Sequence, residues 1–155
     1  MSIYLRILLF LVFNFAALGL GGFFTGSGVP SEWYQTLQKA PWTPPGWVFG
    51  AAWTTIMIAF SFYAAWLWQE TQGSRTFWVF YGLQWVLNVA WNPTFFHFHA
   101  TRFALVLIVA LTLGLWIGFF TFWRVLSFRS LTLVPYLVWL VIATSLNAYI
   151  VWNNP

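Results

Sequence analysis

Thirteen of the 155 residues are tryptophan and none is cysteine. Four of those tryptophans fall in one stretch, Trp33–Trp53, WYQTLQKAPWTPPGWVFGAAW, with three prolines and a single charge, Lys39. An indole is large, rigid and half-polar. Its natural chemistry is to stack on flat apolar molecules, at about 0.5–1.5 kcal/mol per ring pair beyond area burial. A proline-stiffened backbone lowers the cost of ordering such rings around a guest. Carboxamides add a few polar handles. Gln84, Asn88 and Asn92 follow one another at i, i+4, with Tyr81 and Trp91 near the same stripe. By the same helical arithmetic Tyr136, Trp139, Ala143 and Asn147 share a face, as do Phe49, Trp53 and Phe60.

Other chemistries are poorly served. His97 and His99 are two apart, point away from each other on a helix and have no carboxylate beside them, so no metal site is expected. Neither histidine has an acidic partner nearby in sequence to build a nucleophile–base pair. Without cysteine there is no disulfide and no thiol chemistry. No cofactor is expected. A structural alternative stands beside the binding one: amides that hydrogen-bond between helices, and tryptophans that anchor helix ends at the membrane interface. It accounts for Trp66, Trp68, Trp78, Trp123 and Trp152 better than for Trp53 and Trp139, which fall well inside their helices.

The elements that must position these residues are written in the charges. Only 5% of the chain is charged and 61% is hydrophobic. A soluble domain carries about 25% charged residues. Five stretches are free of Asp, Glu, Lys and Arg: Ile7–Ser31, Ala40–Gln69, Thr76–Thr101, Phe103–Trp123 and Ser130–Pro155. Each exceeds the roughly 20 residues that span a bilayer. Runs such as Ile7–Phe13 show no apolar/polar alternation, which excludes strands of a barrel. The expected fold is all-α: one domain over 1–155, an integral membrane bundle of five transmembrane helices at about 3–25, 45–69, 77–98, 103–123 and 132–152. Arg6 and the apolar run after it resemble a secretory signal, but the run continues past Gly22 and reads as a retained helix. The absence of ionised side chains within the spans argues against an ion-coupled pump.

Three connections are short, so neighbouring spans are antiparallel. The loop over 26–44 is long, and a long loop in a compact domain is commonly functional. Within it Ser31 is a good N-cap and Pro41 a stop, so a short helix is expected over 31–38. Ala110, Gly114 and Gly118, and likewise Gly22 and Gly26, form small-residue stripes suited to helix packing or to a homodimer. The net charge of +4 reads as topology: Arg6, Arg75, Arg124 and Arg129 lie on one side, Lys39 and Arg102 on the other. The positive-inside rule then places the N-terminus in the cytoplasm.

Three separated motifs now carry a resemblance. Trp33-Tyr34 … Pro41-Trp42-x-Pro44-Pro45-x-Trp47-x-Phe49-x-x-x-Trp53 closely resembles the signature of the TspO/translocator protein family, the tryptophan-rich sensory proteins or peripheral-type benzodiazepine receptors, and of its bacterial members in particular. Gln84-x-x-x-Asn88-x-x-Trp91-x-x-x-Phe95-Phe96 is similar to that family's third helix, and Pro135-Tyr136-Leu137-x-Trp139-x-x-x-Ala143-Thr144-x-Leu146-Asn147 to its fifth. The resemblance implies a five-helix membrane protein, here of the bacterial cell membrane. It implies binding of tetrapyrroles such as protoporphyrin IX, and of synthetic isoquinoline and benzodiazepine ligands, in a pocket covered by the first loop. The implied lining is Gly22, Tyr34, Pro41, Trp42, Trp47, Phe49, Trp53, Asn88, Asn92, Trp139 and Ala143. Trp53 and Trp139 look like the tryptophans tied to light-dependent porphyrin breakdown. The cholesterol-recognition pattern of the animal proteins needs a Lys or Arg soon after a tyrosine. Leu146–Pro155 holds neither, so tight cholesterol binding is not expected.

Three functions follow as expectations: a membrane receptor or sensor for tetrapyrroles that also transports them, an enzyme-like light-dependent degradation of bound porphyrin in which Trp53 or Trp139 donates an electron to the photoexcited guest, and a structural membrane protein with incidental binding. Trp33–Trp53 is read either as a preorganised aromatic lid or as an interfacial belt with a structural turn. Lys39, His97, His99 and Arg102 fall at the lid end, where they are placed to meet porphyrin propionates.

Overall fold

Serines open three of the helices in the computed structural model, which describes residues 1–155. Ser2 accepts from the Leu5 amide at 3.3 Å and starts α1, Ile3–Gly28. Ser31 accepts from the Tyr34 amide at 3.2 Å and starts the short α2, Glu32–Thr36. Ser74 accepts from the Phe77 amide at 3.3 Å and starts α4, Arg75–Asn92. Each hydroxyl satisfies an amide that no helical carbonyl can reach. Between α2 and α4, α3 runs Gly46–Thr71, directly after Pro44-Pro45. Gln72 and Gly73 close it with positive φ. The chain ends with α5, Thr101–Leu126, a 3-10 turn, Ser127–Leu133, and α6, Val134–Asn153.

Three helical stretches are long and apolar enough to cross a membrane: Ile3–Gly28, Gly46–Thr71 and the nearly unbroken Thr101–Asn153. The last folds back at Ser127, whose φ is 52°, so it supplies two antiparallel helices. With α4 the long helices number five, and the protein is an all-α membrane bundle. α2 is shorter than the sequence suggests because Leu37 is already extended. The third span is not one regular helix. Pro93 has no N–H to give to the α ladder, and Pro93–His97 continue as a single π-turn closed by the Phe98 amide on the Pro93 carbonyl at 3.0 Å.

Around the bundle α1 packs on α3 and α4, α4 on α5, α5 on α6, and α6 back on α3. One end carries Arg6, Glu70 and Arg129. Arg129 pairs with Glu70 at 3.1 Å, and Arg6 donates to Gln69 at 3.2 Å. The other end carries α2, Lys39, His97, His99 and Arg102. At mid-height Asn14 donates to Ser61 at 2.9 Å and accepts from the Tyr81 hydroxyl at 2.8 Å, tying α1, α3 and α4 together. Gly118 lets the Phe80 ring lie against α5, where a Cβ would collide with it. Gly114, Gly22 and Gly26 are instead exposed, with open space above them.

Candidate ligand-binding site

The inward stripe of each long helix changes character along its length. On α3, Ile56, Met57, Phe60 and Tyr63 are buried, and Phe49 and Trp53 extend the same face toward α2 but are only half-buried. On α6, Tyr136 and Trp139 are buried, whereas Ala143 is half-buried. On α4, Phe77, Tyr81, Gln84 and Asn88 are buried, and Trp91 and Asn92 are half-buried. The buried apolar residues therefore form two separate clusters. A large one runs from the arginine end as far as Trp139, with Phe49, Trp53 and Ala143 packed against its margin. A small one, Phe95, Phe96, Ala104 and Ile150, lies beneath α2. Between them lies a zone of indoles and amides, with Trp91 packed against both clusters.

The rings in this zone meet edge-on. Phe49 faces Trp139 at 5.3 Å between centroids, and Trp53 faces Tyr136 at 5.8 Å. The polar groups sort into two kinds. Most are engaged: Tyr136 donates to Gln84, Trp91 donates to Asn147 at 3.0 Å, and Asn147 donates to the Thr101 carbonyl at 3.0 Å. Asn92 is also committed, accepting from Thr25 at 2.9 Å and donating to the Asn88 carbonyl at 3.2 Å. Two are free. The Trp139 indole N–H is buried without a partner. The Asn88 side chain, 8% exposed, makes no hydrogen bond inside the bundle. A buried donor left unpaired costs about 1–3 kcal/mol, so the Trp139 N–H would gain from a guest; the Tyr63 and Ser130 hydroxyls, at the arginine end, are likewise buried without a partner.

The aromatic loop closes over one end of this zone. Trp33 stacks on His99 at 3.9 Å, and Tyr34 packs on Phe95 and Phe96. Asn154 accepts from the Gln38 amide at 2.9 Å and donates to its carbonyl at 3.1 Å. Trp42 donates to Ser145 at 3.1 Å and meets Tyr149 edge-on. Burial raises the Tyr34 phenol above its ordinary value. Lys39 does not reach into the bundle: its ammonium lies 4.7 Å from the Tyr34 ring centroid and donates to the Gln35 and Leu37 carbonyls.

Of the eleven residues expected to line a pocket, the structure gathers Phe49, Trp53, Asn88, Trp139 and Ala143 on inward faces. Asn92 sits at their edge, and Tyr34 and Trp42 hold the closed loop. Three lie elsewhere. Gly22 is exposed on α1; its neighbour Gly21 faces inward, where a Cβ would come within 2.7 Å of Asn92. Pro41 is exposed, and Trp47 is 75% exposed at the start of α3. Sequence spacing put Trp91 and Asn147 on the inward stripes, though not in the expected lining, and missed the pairing of Asn154 with Gln38. The i+4 run of Gln84, Asn88 and Asn92 pointed toward Trp91, but no local signal pointed to Asn154.

The sequence profile of the TspO/MBR family matches residues 8–153. The chain belongs to the TspO/MBR family. Among its relatives, "Protein CrtK" of Rhodobacter capsulatus is 35% identical over 130 residues, covering 81% of each chain. The "Tryptophan-rich sensory protein" of Cereibacter sphaeroides is 34% identical over 129 residues, again covering 81% of each. The human "Translocator protein" is 34% identical over 141 residues, covering 86% of this chain and 83% of the relative. The match to the TspO/MBR profile spans all five long helices and the α2 loop, so the described site lies wholly within the shared region. TspO/MBR membership and the apolar helices together make this an integral membrane protein.

Proposed function

We propose that this protein is a membrane receptor and sensor that takes up a flat tetrapyrrole of the protoporphyrin IX type between α3, α4 and α6, beneath the aromatic loop, and carries it within or across the bilayer. One observation supports this most: the inward stripes loosen together at Phe49, Trp53, Ala143 and Trp91, beside the buried Trp139 N–H, which has no partner, and the Asn88 side chain, which makes no hydrogen bond inside the bundle. A porphyrin presents two aromatic faces to such rings and pyrrole and carboxylate groups to such polar atoms. The names "Tryptophan-rich sensory protein" and "Translocator protein" borne by relatives agree with a receptor role. On the same reading the protein binds isoquinoline- and benzodiazepine-type compounds. It works in a bacterial cell membrane with its N-terminus in the cytoplasm, as a homodimer through an exposed small-residue face.

Tryptophan quenching on addition of protoporphyrin IX to the detergent-solubilised protein tests the reading. Saturable quenching is expected, weakened about tenfold or more by Trp53→Phe together with Trp139→Phe, a loss of about 1.4 kcal/mol. Unsaturable quenching, or equal affinity in the double variant, refutes it.

A second reading has its own support. Trp53 touches Tyr136 edge-on, so an indole that gave an electron to a photoexcited guest would have a phenol beside it. Illumination of the bound porphyrin separates the two: bleaching that Trp53→Phe and Trp139→Phe abolish favours breakdown, and a stable spectrum favours binding alone.

A further inference from the structure

The loop end of the bundle is closed, but its flank is not. A crevice of about 440 Å³ lies between α3 and α6, lined by Val48, Ala51, Ala52, Thr55 and Ile56 on one side and Val134, Pro135, Val138 and Trp139 on the other. Its rim, at Ala51, Thr55 and Val138, is exposed on the face that the apolar helices turn to lipid. Its floor is Ile56 and Trp139, 1% and 6% exposed. Trp139 therefore has two neighbours of different kinds. One side of it forms the crevice wall, and its ring meets Phe49, on the inward stripe, edge-on. Trp139, with Ile56, forms the floor between the lipid-facing crevice and the aromatic zone inside.

We infer that the crevice is the door: a tetrapyrrole enters and leaves sideways from the bilayer between α3 and α6, with the Trp139 ring as the gate, while the aromatic loop stays shut. The inference rests on the tetrapyrrole reading and adds the route to it. Four observations select this occupant and path. The crevice shares Trp139 with the proposed site. Its α3 wall carries the small side chains Ala51 and Ala52, which leave room for a ring against it. Its only side-chain hydroxyl, Thr55, is bonded back to the Ala51 carbonyl at 2.9 Å, so the walls offer an apolar disc nothing to desolvate. At the floor the Trp139 N–H is buried and unpartnered, so that turning of the ring would offer one donor to a carboxylate or ring nitrogen at no cost in existing hydrogen bonds. The alternative path is held closed by Asn154 on Gln38, by Trp42 on Ser145 and by the stack of Trp33 on His99. The solubility of the guest points the same way, since a large apolar disc partitions into lipid before it meets the protein.

The lack of native cysteine makes the test clean. Ala51→Cys is labelled with a bulky thiosulfonate that plugs the crevice and that reductant removes. In a separate variant Gln38→Cys and Asn154→Cys are joined by a short thiol crosslinker to lock the loop. Stopped-flow tryptophan quenching with protoporphyrin IX reads association and release in both. The plug is expected to slow both rates about tenfold or more, a barrier of about 1.4 kcal/mol, with the dissociation constant little changed and the rates restored by reductant. The locked loop is expected to leave both rates unaltered. Unchanged rates with the plug in place, or slowed rates with the loop locked, overturn the lateral door while leaving the binding site standing. No quenching in the unlabelled parent overturns the tetrapyrrole reading, and the door with it.

Discussion

The two halves of the bundle are made from the same helices and obey different rules. At the arginine end, Phe10, Phe60, Tyr63, Leu67 and Phe77 are each at most 1% exposed, and Phe60 stacks on Tyr63 and Tyr81 while meeting Tyr136 edge-on. Among the polar residues beside them Asn14 serves Ser61 and Tyr81 at once, while the Tyr63 and Ser130 hydroxyls are buried without a partner. At the loop end the same stripes carry Phe49, Trp53 and Ala143, half-buried, and Asn88 and Trp139 with free polar groups. Helix association in lipid comes from close packing and interhelical hydrogen bonds, because lipid tails are as apolar as the side chains. The arginine end is the more closely packed and holds the bundle together. The loop end leaves its packing incomplete, which is what a guest requires. The loop then covers that unfinished surface with contacts of its own.

The difference can be broken by paired truncation. Phe60→Ala removes a ring packed on three others and is expected to cost about 3–5 kcal/mol. Phe49→Ala, the equivalent change on the same stripe of α3, should cost less than about 1.5 kcal/mol, because neighbours that are already loose lose fewer contacts. Reversible unfolding in mixed micelles measures both, and equal losses would erase the distinction between the halves.

The smallest expected effect concerns the loop. Burial raises the Tyr34 phenol, so the docked loop favours its neutral form. That contribution is complete below the ordinary phenol value of about 10 and is lost as pH rises toward the raised one. Docking of the loop, read from the fluorescence of Trp33 and Trp42, should therefore weaken above about pH 10, and Tyr34→Phe should remove that weakening. Weakening that persists in Tyr34→Phe would assign it to another group.

Much of the fold was legible because charge is so costly in lipid that five uncharged stretches mark five spans, and because Ser31, Pro44 and Pro45 carry local instructions. The breaks were less legible. Pro93 sits inside an otherwise helical pattern, and whether such a proline ends a helix or shifts it into a π-turn depends on what surrounds it. Helix periodicity found the inward faces of α3, α4 and α6, and so Trp53, Asn88 and Trp139. It says nothing of Trp47 and Pro41, which only the family resemblance implied; they lie at the start of α3 and in the loop before it, and both are exposed. Gly22 missed the inward stripe of α1 by one residue, because Phe10, Asn14, Ala17 and Gly21 set that face. The closing pair of Gln38 and Asn154 joins residues 116 apart, a separation that no local pattern encodes.

Ala143→Phe puts a ring into the middle of the loosely packed zone and nowhere else. Protoporphyrin titration of this variant, with thermal unfolding measured in parallel, asks directly whether there is room for a guest there. Affinity is expected to fall about tenfold or more, by about 1.4 kcal/mol, with the melting temperature held or raised. A variant that binds as tightly as the parent, or that unfolds for lack of space, would contradict an open interior at the loop end.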